Sequence, residues 1–434
     1  MTVSTDETVT SATAANVLDE LKWRNLLANS TDEAELRKAF GAGPVTYYIG
    51  FDPTGPSLHI GHLVQVLTMR RLQEAGHRPL ALVGGATGLI GDPRPSSERV
   101  LNSPETVANW VERLRGQIEP FLDFTGPNAA TMVNNLDWTS GLGAIEFLRD
   151  VGKHFRVGKM LAKDAVSARL NSEAGISYTE FSYQILQSMD FLELNKRHGC
   201  TLQLGGSDQW GNLTAGLDLI HRVRPEQNVH CLATPLITKA DGSKFGKSEG
   251  GAVWLDPEMT SPYAFFQFWL NAEDAKIADY LRVFTFRSAA EIDELAAAPA
   301  HTRSAQRALA HDMTALVHGD LAATRVEDAS KALFGGGDVA GLDPRTLSDA
   351  LGELPKVTLA RGEHLVADLL VATGLAKSKS DARRTLNDGG ASVNNVKVTD
   401  GDAATVSTAD LVHDRWILLR KGRRSLAAVE LAGE

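Results

Sequence analysis

Cysteine is almost absent from this 434-residue sequence: Cys200 and Cys231 are the only two, and neither has a C-x-x-C partner. That argues against a disulfide scaffold or a thiolate zinc site and leaves two reduced structural thiols as the expectation. Long hydrophobic runs are missing too. The longest, around Leu80 to Gly91, is too short and glycine-rich to cross a bilayer. The N-terminal stretch is acidic and polar, with neither a basic-then-apolar leader nor an Arg-rich transit pattern, so a cytoplasmic protein without membrane attachment is expected. Positive charge is also in deficit. Lys and Arg number 44 against 54 Asp and Glu, a net of −10, which excludes indiscriminate coating of nucleic acid or anionic membrane. The deficit is uneven, because residues 355–434 hold 12 basic and 10 acidic residues.

What is present is an ordinary globular composition, 43% hydrophobic and 23% charged, at a length that suggests two to three domains. Residues 1–15 read as a disordered tail. From 16 to 252, short β-forming runs (Val45 to Ile49, Pro79 to Val83, Thr131 to Val133, Thr201 to Leu204, Val229 to Ile237) alternate with helical stretches, one of them Gly143 to Leu161. Alternation of that kind predicts an α/β fold with a Rossmann-like parallel sheet, whose ligands bind beyond the carboxyl ends of the strands. Residues 253–334 are rich in Ala and Leu at helical spacing and predict a helical domain. Residues 335–361 read as a linker, and 362–434 as a small α+β module.

Two segments stand out for phosphate chemistry. After the first strand, His59-Ile60-Gly61-His62 opens a helix, with both histidines on one face where free N–H groups and the helix dipole attract anions. Taken alone, H-x-x-H also fits a metal pair or two surface histidines. Further on, Asp241-Gly242-Ser243-Lys244-Phe245-Gly246-Lys247-Ser248 places two lysines and a hydroxyl on a glycine-rich loop able to close over polyphosphate. A solvated basic turn is the alternative. A Walker A loop is excluded by spacing, since only three residues separate Gly242 from Gly246. Between these segments, Gly205-Gly206-Ser207-Asp208-Gln209-Trp210-Gly211-Asn212 sits at a strand-to-helix junction with Asp208 suited to ribose hydroxyls. Tyr183, Gln187 and Asp190 follow at i, i+4 and i+7, either a buried polar stripe or one turned to water.

Together the strand–H-I-G-H–helix, the K-F-G-K-S loop and the G-G-S-D-Q-W-G-N segment resemble the class I aminoacyl-tRNA synthetases, and within them the bacterial tyrosyl-tRNA synthetases, from about Leu18 to the C-terminus. The resemblance implies ATP-dependent activation of L-tyrosine and its transfer to tRNA(Tyr). It implies ATP with Mg2+ as substrate, no tightly bound cofactor, no resident metal, and a homodimer joined through the middle of the catalytic domain. It assigns Thr54, His59, Arg99, Lys244, Lys247 and Ser248 to the phosphates, and His62 to the ribose with Gly206 and Asp208. Gly50, Asp52, Gly61, Gly206, Asp208 and Leu236 join Lys247 around the rest of ATP. Tyr48 and Asp190 take the substrate phenol, Asp92, Tyr183 and Gln187 its ammonium, and Gln203 and Gln209 line the pocket. The C-terminal module resembles an S4 RNA-binding domain, with Lys377, Lys379, Arg383 and Arg384 as candidate RNA contacts, and Arg303 and Arg307 near the anticodon arm.

Three departures qualify the match. Relatives often carry a lysine after Gly91-Asp92-Pro93, where this sequence has Arg94-Pro95-Ser96-Ser97. Ile49 replaces a small polar residue, and Asn394-Asn395 stands where relatives often have Asn-Gly. Three alternative readings stand beside the main one. They are a tryptophanyl-tRNA synthetase, a non-catalytic RNA-binding derivative, and an amino-acid adenylating enzyme with another acceptor.

Overall fold

The chain up to Asp256, together with Ala275–Asp293, forms one unit, and Pro257–Asp274 with Glu294–Glu434 forms a second. The structure is a computed structural model that describes residues 17–94, 97–173, 175–248 and 251–432, without the side chains of 164, 165, 247, 248 and 432. The tail expected over 1–15, Pro95 and Ser96 of the loop after Asp92, and the Lys247 and Ser248 side chains thus lie outside the described residues.

The first unit is built on a six-stranded sheet. Its strands are β1 (Asn29–Ser30), β2 (Thr46–Phe51), β3 (Arg78–Val83), β4 (Thr131–Asn134), β5 (Leu202–Gly206) and β6 (His230–Thr234), in the order β1-β6-β5-β2-β3-β4. All pairs are parallel except the short edge strand β1. The near-continuous apolar runs of β2, β3, β5 and β6 suit strands covered on both faces. Chain order leaves β2 toward β3 and β4, then returns to its other side with β5. The carboxyl ends of β2 and β5 therefore flank a topological switch point.

Local chemistry sets the helix ends. Asp32 caps α1 (Glu33–Ala42) by accepting from the N–H groups of Ala34 and Glu35. The helix α2 (Ile60–Glu74) follows β2. Ser103 caps α3 (Pro104–Ile118), with proline in the first turn. Ser177 caps α4 (Tyr178–His198), which ends on Gly199 in the left-handed region at φ 63°. The helix α5 (Trp210–Val223) follows β5. Phe191, Leu192 and Leu194 of α4 pack with Leu213, Leu219 and Ile220 of α5 against the sheet, and Cys200 and Cys231 are buried in the same core. Both thiols are free, and burial pushes them far above the ordinary thiol range, which makes them inert packing groups.

Residues 143–161 do not form the single helix that their spacing predicts. They break into a turn at Ala144–Glu146, a π-helical turn at Phe147–Val151, a 3-10 turn at Gly152–His154 and a short helix at Val157–Leu161. Ile145, Leu148 and Val157 are left exposed, so no buried face holds a continuous helix together.

The serial division at 253–334 also differs from what is observed. Residues 275–293 join the first unit, where the Thr285 carbonyl accepts from two buried arginines, Arg24 at 2.9 Å and Arg71 at 2.6 Å. The expected linker 335–361 is largely structured. It holds helix Pro344–Gly352 and strand β7 (Lys356–Ala360), whose backbone completes a C-terminal sheet. That sheet combines β8 (Ala391–Val393), β9 (Val396–Lys397), β10 (Trp416–Lys421) and β11 (Ser425–Ala432) in the order β9-β8-β10-β11-β7. Asn394 and Asn395 both take positive φ, 47° and 64°, as a tight hairpin turn between β8 and β9 requires.

Candidate active site

The strand β2 delivers Asp52 at its carboxyl end, and eight residues later α2 begins with His59 as its N-cap. The His59 ring accepts the Gly61 N–H at Nδ1 (3.0 Å), and His62 Nδ1 accepts the His59 N–H (3.2 Å). Each imidazole thus uses Nδ1 as acceptor, which puts the ring proton on Nε2. Burial lowers His62 to about 3, so its ring is neutral at physiological pH. The two rings stack with centroids 3.9 Å apart. A Cβ on Gly61 would lie 2.8 Å from His59 Cε1, so glycine is required there first by its own neighbour.

The second motif folds back toward this helix start. Lys239 and Phe245 close a hairpin through their N–H groups onto the carbonyls of Ser243 (2.8 Å) and Ile237 (3.0 Å). Gly246, at φ 91°, is seated so that its own Cβ would come within 3.4 Å of Ile60. Val253 bonds Gly246 on one side and Ile60 on the other. Lys244 is exposed on this hairpin, and the backbones of Lys247–Ser248 and Gly251–Ala252 pair antiparallel beyond it. Thr54 is exposed on the turn after Asp52.

The polar stripe of α4 is buried and bonded to the strand ends. Tyr183 donates to Asp52 Oδ2 at 2.5 Å, and Thr87 donates to Asp52 Oδ1 at 2.6 Å. Asp190 accepts from Asn135 at 3.0 Å and from the Trp138 indole at 2.9 Å, while burial still raises it to about 7. Beside it, the Tyr48 hydroxyl is buried with no partner among the described residues, as are the Oε1 atoms of Gln187 and Gln203. Gln209 and Asn212 donate to the two oxygens of Asp92, at 2.8 and 3.3 Å. Arg99 Nε donates to the Asp92 carbonyl at 2.9 Å. Across the switch point, a Cβ on Gly206 would sit 2.5 Å from Asp208 Oδ1, with the half-exposed Leu236 alongside. Gly50 lies exposed on β2, where a Cβ would make only ordinary contact with Leu82.

The family described as tRNA synthetases class I (W and Y) matches residues 41–335, and the tyrosine–tRNA ligase SYY-like C-terminal domain matches 346–429. The chain is 67% identical to the tyrosine–tRNA ligase of Streptomyces griseus over 96% of its own length and 99% of that relative. Its identity to the ligase of Kineococcus radiotolerans is 63%, over 95% and 98%. The C-terminally truncated mitochondrial tyrosyl-tRNA synthetase of Coccidioides posadasii superposes with a TM-score of 0.65 at 30% identity, covering 74% of this chain and 96% of that one. This chain belongs to the class I tyrosyl-tRNA synthetase family. As a member of it, the chain is an ATP-dependent aminoacyl-tRNA ligase.

Several tyrosyl-tRNA synthetase residues of this site escaped the motifs. A Cβ on Gly84 would come within 2.1 Å of Thr87 Oγ1 and 2.3 Å of Asp52 Oδ1. Thr87, Asn135 and Trp138 hold the two buried carboxylates, and Lys163 extends the Asp92 network through Asn212, the last residue of the G-G-S-D-Q-W-G-N segment. Of these, only the glycine pair Gly84-Gly85 directly after a strand carried a readable signal.

In the second unit the candidate RNA residues flank the start of α7 (Lys379–Asn387), whose cap is Ser378. They are exposed, and three meet carboxylates: Lys379 with Asp368 (2.8 Å), Arg383 with Asp402 (3.7 Å) and Arg384 with Asp381 (3.2 Å). Asp381 also binds Lys421 at 2.8 Å, which holds its carboxyl down near 2. Arg420 of β10 is a buried exception among the basic residues of this module. It is 8% exposed and donates to the Leu333 carbonyl in the last turn of the helix α6 (Asp320–Gly335), so it is a structural cation.

Proposed function

We propose that this chain activates L-tyrosine with Mg·ATP and transfers it to tRNA(Tyr) at the site between the ends of β2 and β5. The observation that carries the reading is the buried end of the pocket, where the unpartnered Tyr48 hydroxyl lies beside Asp190. A substrate phenol satisfies both groups, whereas phenylalanine strands them, which rejects it without editing. Tyrosyl-tRNA synthetases are themselves a known case of such rejection. Tyr183 spends its proton on Asp52, so its oxygen faces the substrate ammonium as an acceptor, together with Asp92 and Gln187.

The tyrosine carboxylate attacks the α-phosphorus, the bond to the β-phosphate breaks, and pyrophosphate leaves. A terminal ribose hydroxyl of the tRNA then attacks the activated carbonyl and releases AMP. Neither step needs an enzyme nucleophile. The chain positions the reactants and stabilises phosphate charge. The N-terminus of α2 and Lys244 supply donors to the phosphates, with Thr54, His59, Arg99, Lys247 and Ser248 assigned beside them, and the His62 Nε2–H is assigned to the ribose. Gly50, Gly61, Gly206, Asp208 and Leu236 are assigned to the adenosine.

A homodimer is proposed through the segment 136–161, on which Leu136, Ile145, Leu148, Val157 and Leu161 are exposed in a broken stretch of helix. The C-terminal module is proposed as the S4-like tRNA handle, with the enzyme working in the cytoplasm. Among the described residues no helix is long and apolar enough to span a membrane. Tyrosine-dependent ATP–pyrophosphate exchange tests the central reading. Exchange driven equally by phenylalanine, or none with tyrosine, would overturn it.

A further inference from the structure

We propose that Lys163 is a positioning residue for the tyrosine ammonium: it sets the direction of the amide chain that holds Asp92. This rests on the reading of Asp92 as the ammonium acceptor. Lys163 Nζ donates to Asn212 Oδ1. Asn212 Nδ2 donates in turn to Asp92 Oδ1 at 3.3 Å and to Gln209 Oε1 at 2.8 Å, and Gln209 Nε2 donates to Asp92 Oδ2 at 2.8 Å. An amide can point either way, but an ammonium has donors only. By claiming Oδ1 of Asn212, Lys163 turns that amide's NH2 toward Asp92 and Gln209. Gln209 must then accept with its oxygen and donate with its nitrogen. One cation thus orders two amides so that both carboxylate oxygens receive donors.

The placement is built in. A Cβ at position 211 would lie 3.3 Å from Lys163 Cε, so Gly211 leaves the lane along which the lysine stem runs to Asn212. The ammonium is half-buried, and its desolvation lowers it to about 8, with Asp92 as the attraction opposing that shift. Reversal of the Asn212 amide would set its oxygen against the Asp92 carboxylate, and the repulsion would move that carboxylate off the substrate ammonium without touching the phenol end.

Two competitive inhibitors of tyrosine-dependent pyrophosphate exchange separate the ends of the substrate. Tyramine keeps the ammonium, and 3-(4-hydroxyphenyl)propanoate lacks it. Assayed on the full-length chain, Lys163→Met should weaken tyramine by about tenfold or more, the scale of a charged hydrogen bond. The propanoate should hold within about twofold. Lys163→Arg, also donor-only, should recover most of the loss. Unchanged tyramine inhibition, or equal loss for both compounds, would overturn the proposal. Asp92→Asn, run in parallel, distinguishes the two failures. If it spares tyramine, the ammonium assignment itself falls and the role of Lys163 falls with it. If it selectively loses tyramine while Lys163→Met does not, only the positioning role is wrong.

Discussion

The Tyr183 hydroxyl donates to Asp52 at 2.5 Å and ties the middle of α4 to the carboxyl end of β2. Thr87 occupies the other Asp52 oxygen, and the Gly84 backbone passes so close that any Cβ would collide with both groups. Gly84→Ala should therefore displace Asp52 rather than merely fill space. Overpacking of this kind costs about 1–3 kcal/mol in stability. The displaced carboxylate should also lower kcat/KM for exchange by about tenfold or more, a scale reached when a reacting group is misplaced by about 1 Å. Thermal unfolding and exchange kinetics on the one variant check both halves, and a fully active Gly84→Ala would contradict the packing.

Asp190 gives a pH dependence of the less common sign. Burial raises it from an ordinary carboxylate value of 3.8 to about 7, although Asn135 and Trp138 both favour its ionised form. Between those values the native state holds a proton that the unfolded chain has released. The contribution of Asp190 to stability thus falls as pH rises from about 4 to about 7 and is level above that. Asp190→Asn abolishes the titration. Denaturant unfolding of the two proteins should show the wild-type-minus-variant stability difference falling by on the order of 4 kcal/mol across that window. A constant difference would show that Asp190 titrates as an exposed carboxylate.

These two sites mark what the sequence made legible. H-I-G-H and K-F-G-K-S could be read because each is contiguous and its geometry is set by a local helix start or a local hairpin. Asp52, Tyr183 and Asp190 could be read as residue types on the right elements. Their partners could not, because Thr87, Asn135 and Trp138 act across separations of 35, 55 and 52 positions, just as Lys163 reaches Asn212 across 49. No periodicity records such contacts. The same limit explains the linker reading of 335–361. Its strand Lys356–Ala360 is stabilised by parallel pairing with Ser425–Ala432, some seventy residues away. The segment 143–161 fails for the opposite reason: its helical spacing is real, but among the described residues Ile145, Leu148 and Val157 stay exposed.

The pair Arg169–Glu180 links stability to the loop that carries Arg99. Its atoms are 2.9 Å apart, both side chains are 2% exposed, and Glu180 also accepts the Arg99 N–H at 2.7 Å. Arg169→Met should cost about 3–5 kcal/mol, because it leaves a buried carboxylate uncompensated. The double variant Arg169→Met/Glu180→Leu should regain much of that stability. It cannot regain the acceptor for Arg99, so its KM for ATP should stay raised severalfold while its unfolding midpoint approaches the wild type. Joint recovery of both properties would show that the pair does not organise the loop.

Asn395 shows what an asparagine side chain adds at the second position of this hairpin turn. Its φ of 64° is one glycine adopts freely, yet its side chain donates to the carbonyls of Ala332 at 2.9 Å and Gly337 at 2.7 Å. Its Oδ1 accepts from the buried Arg420, which also caps Leu333. The side chain therefore closes the C-terminus of α6 while its backbone turns the hairpin. Asn395→Gly keeps the turn and loses the cap, which should cost about 1–2 kcal/mol. Asn395→Ala loses the cap and must also hold a left-handed backbone, adding about 1 kcal/mol. Because these residues all lie in the second unit, pyrophosphate exchange should be unchanged in both variants. Unfolding of the C-terminal part should rank wild type above glycine and glycine above alanine. An alanine variant as stable as the glycine one would remove the backbone half of this account, and a glycine variant as stable as wild type would remove the capping half.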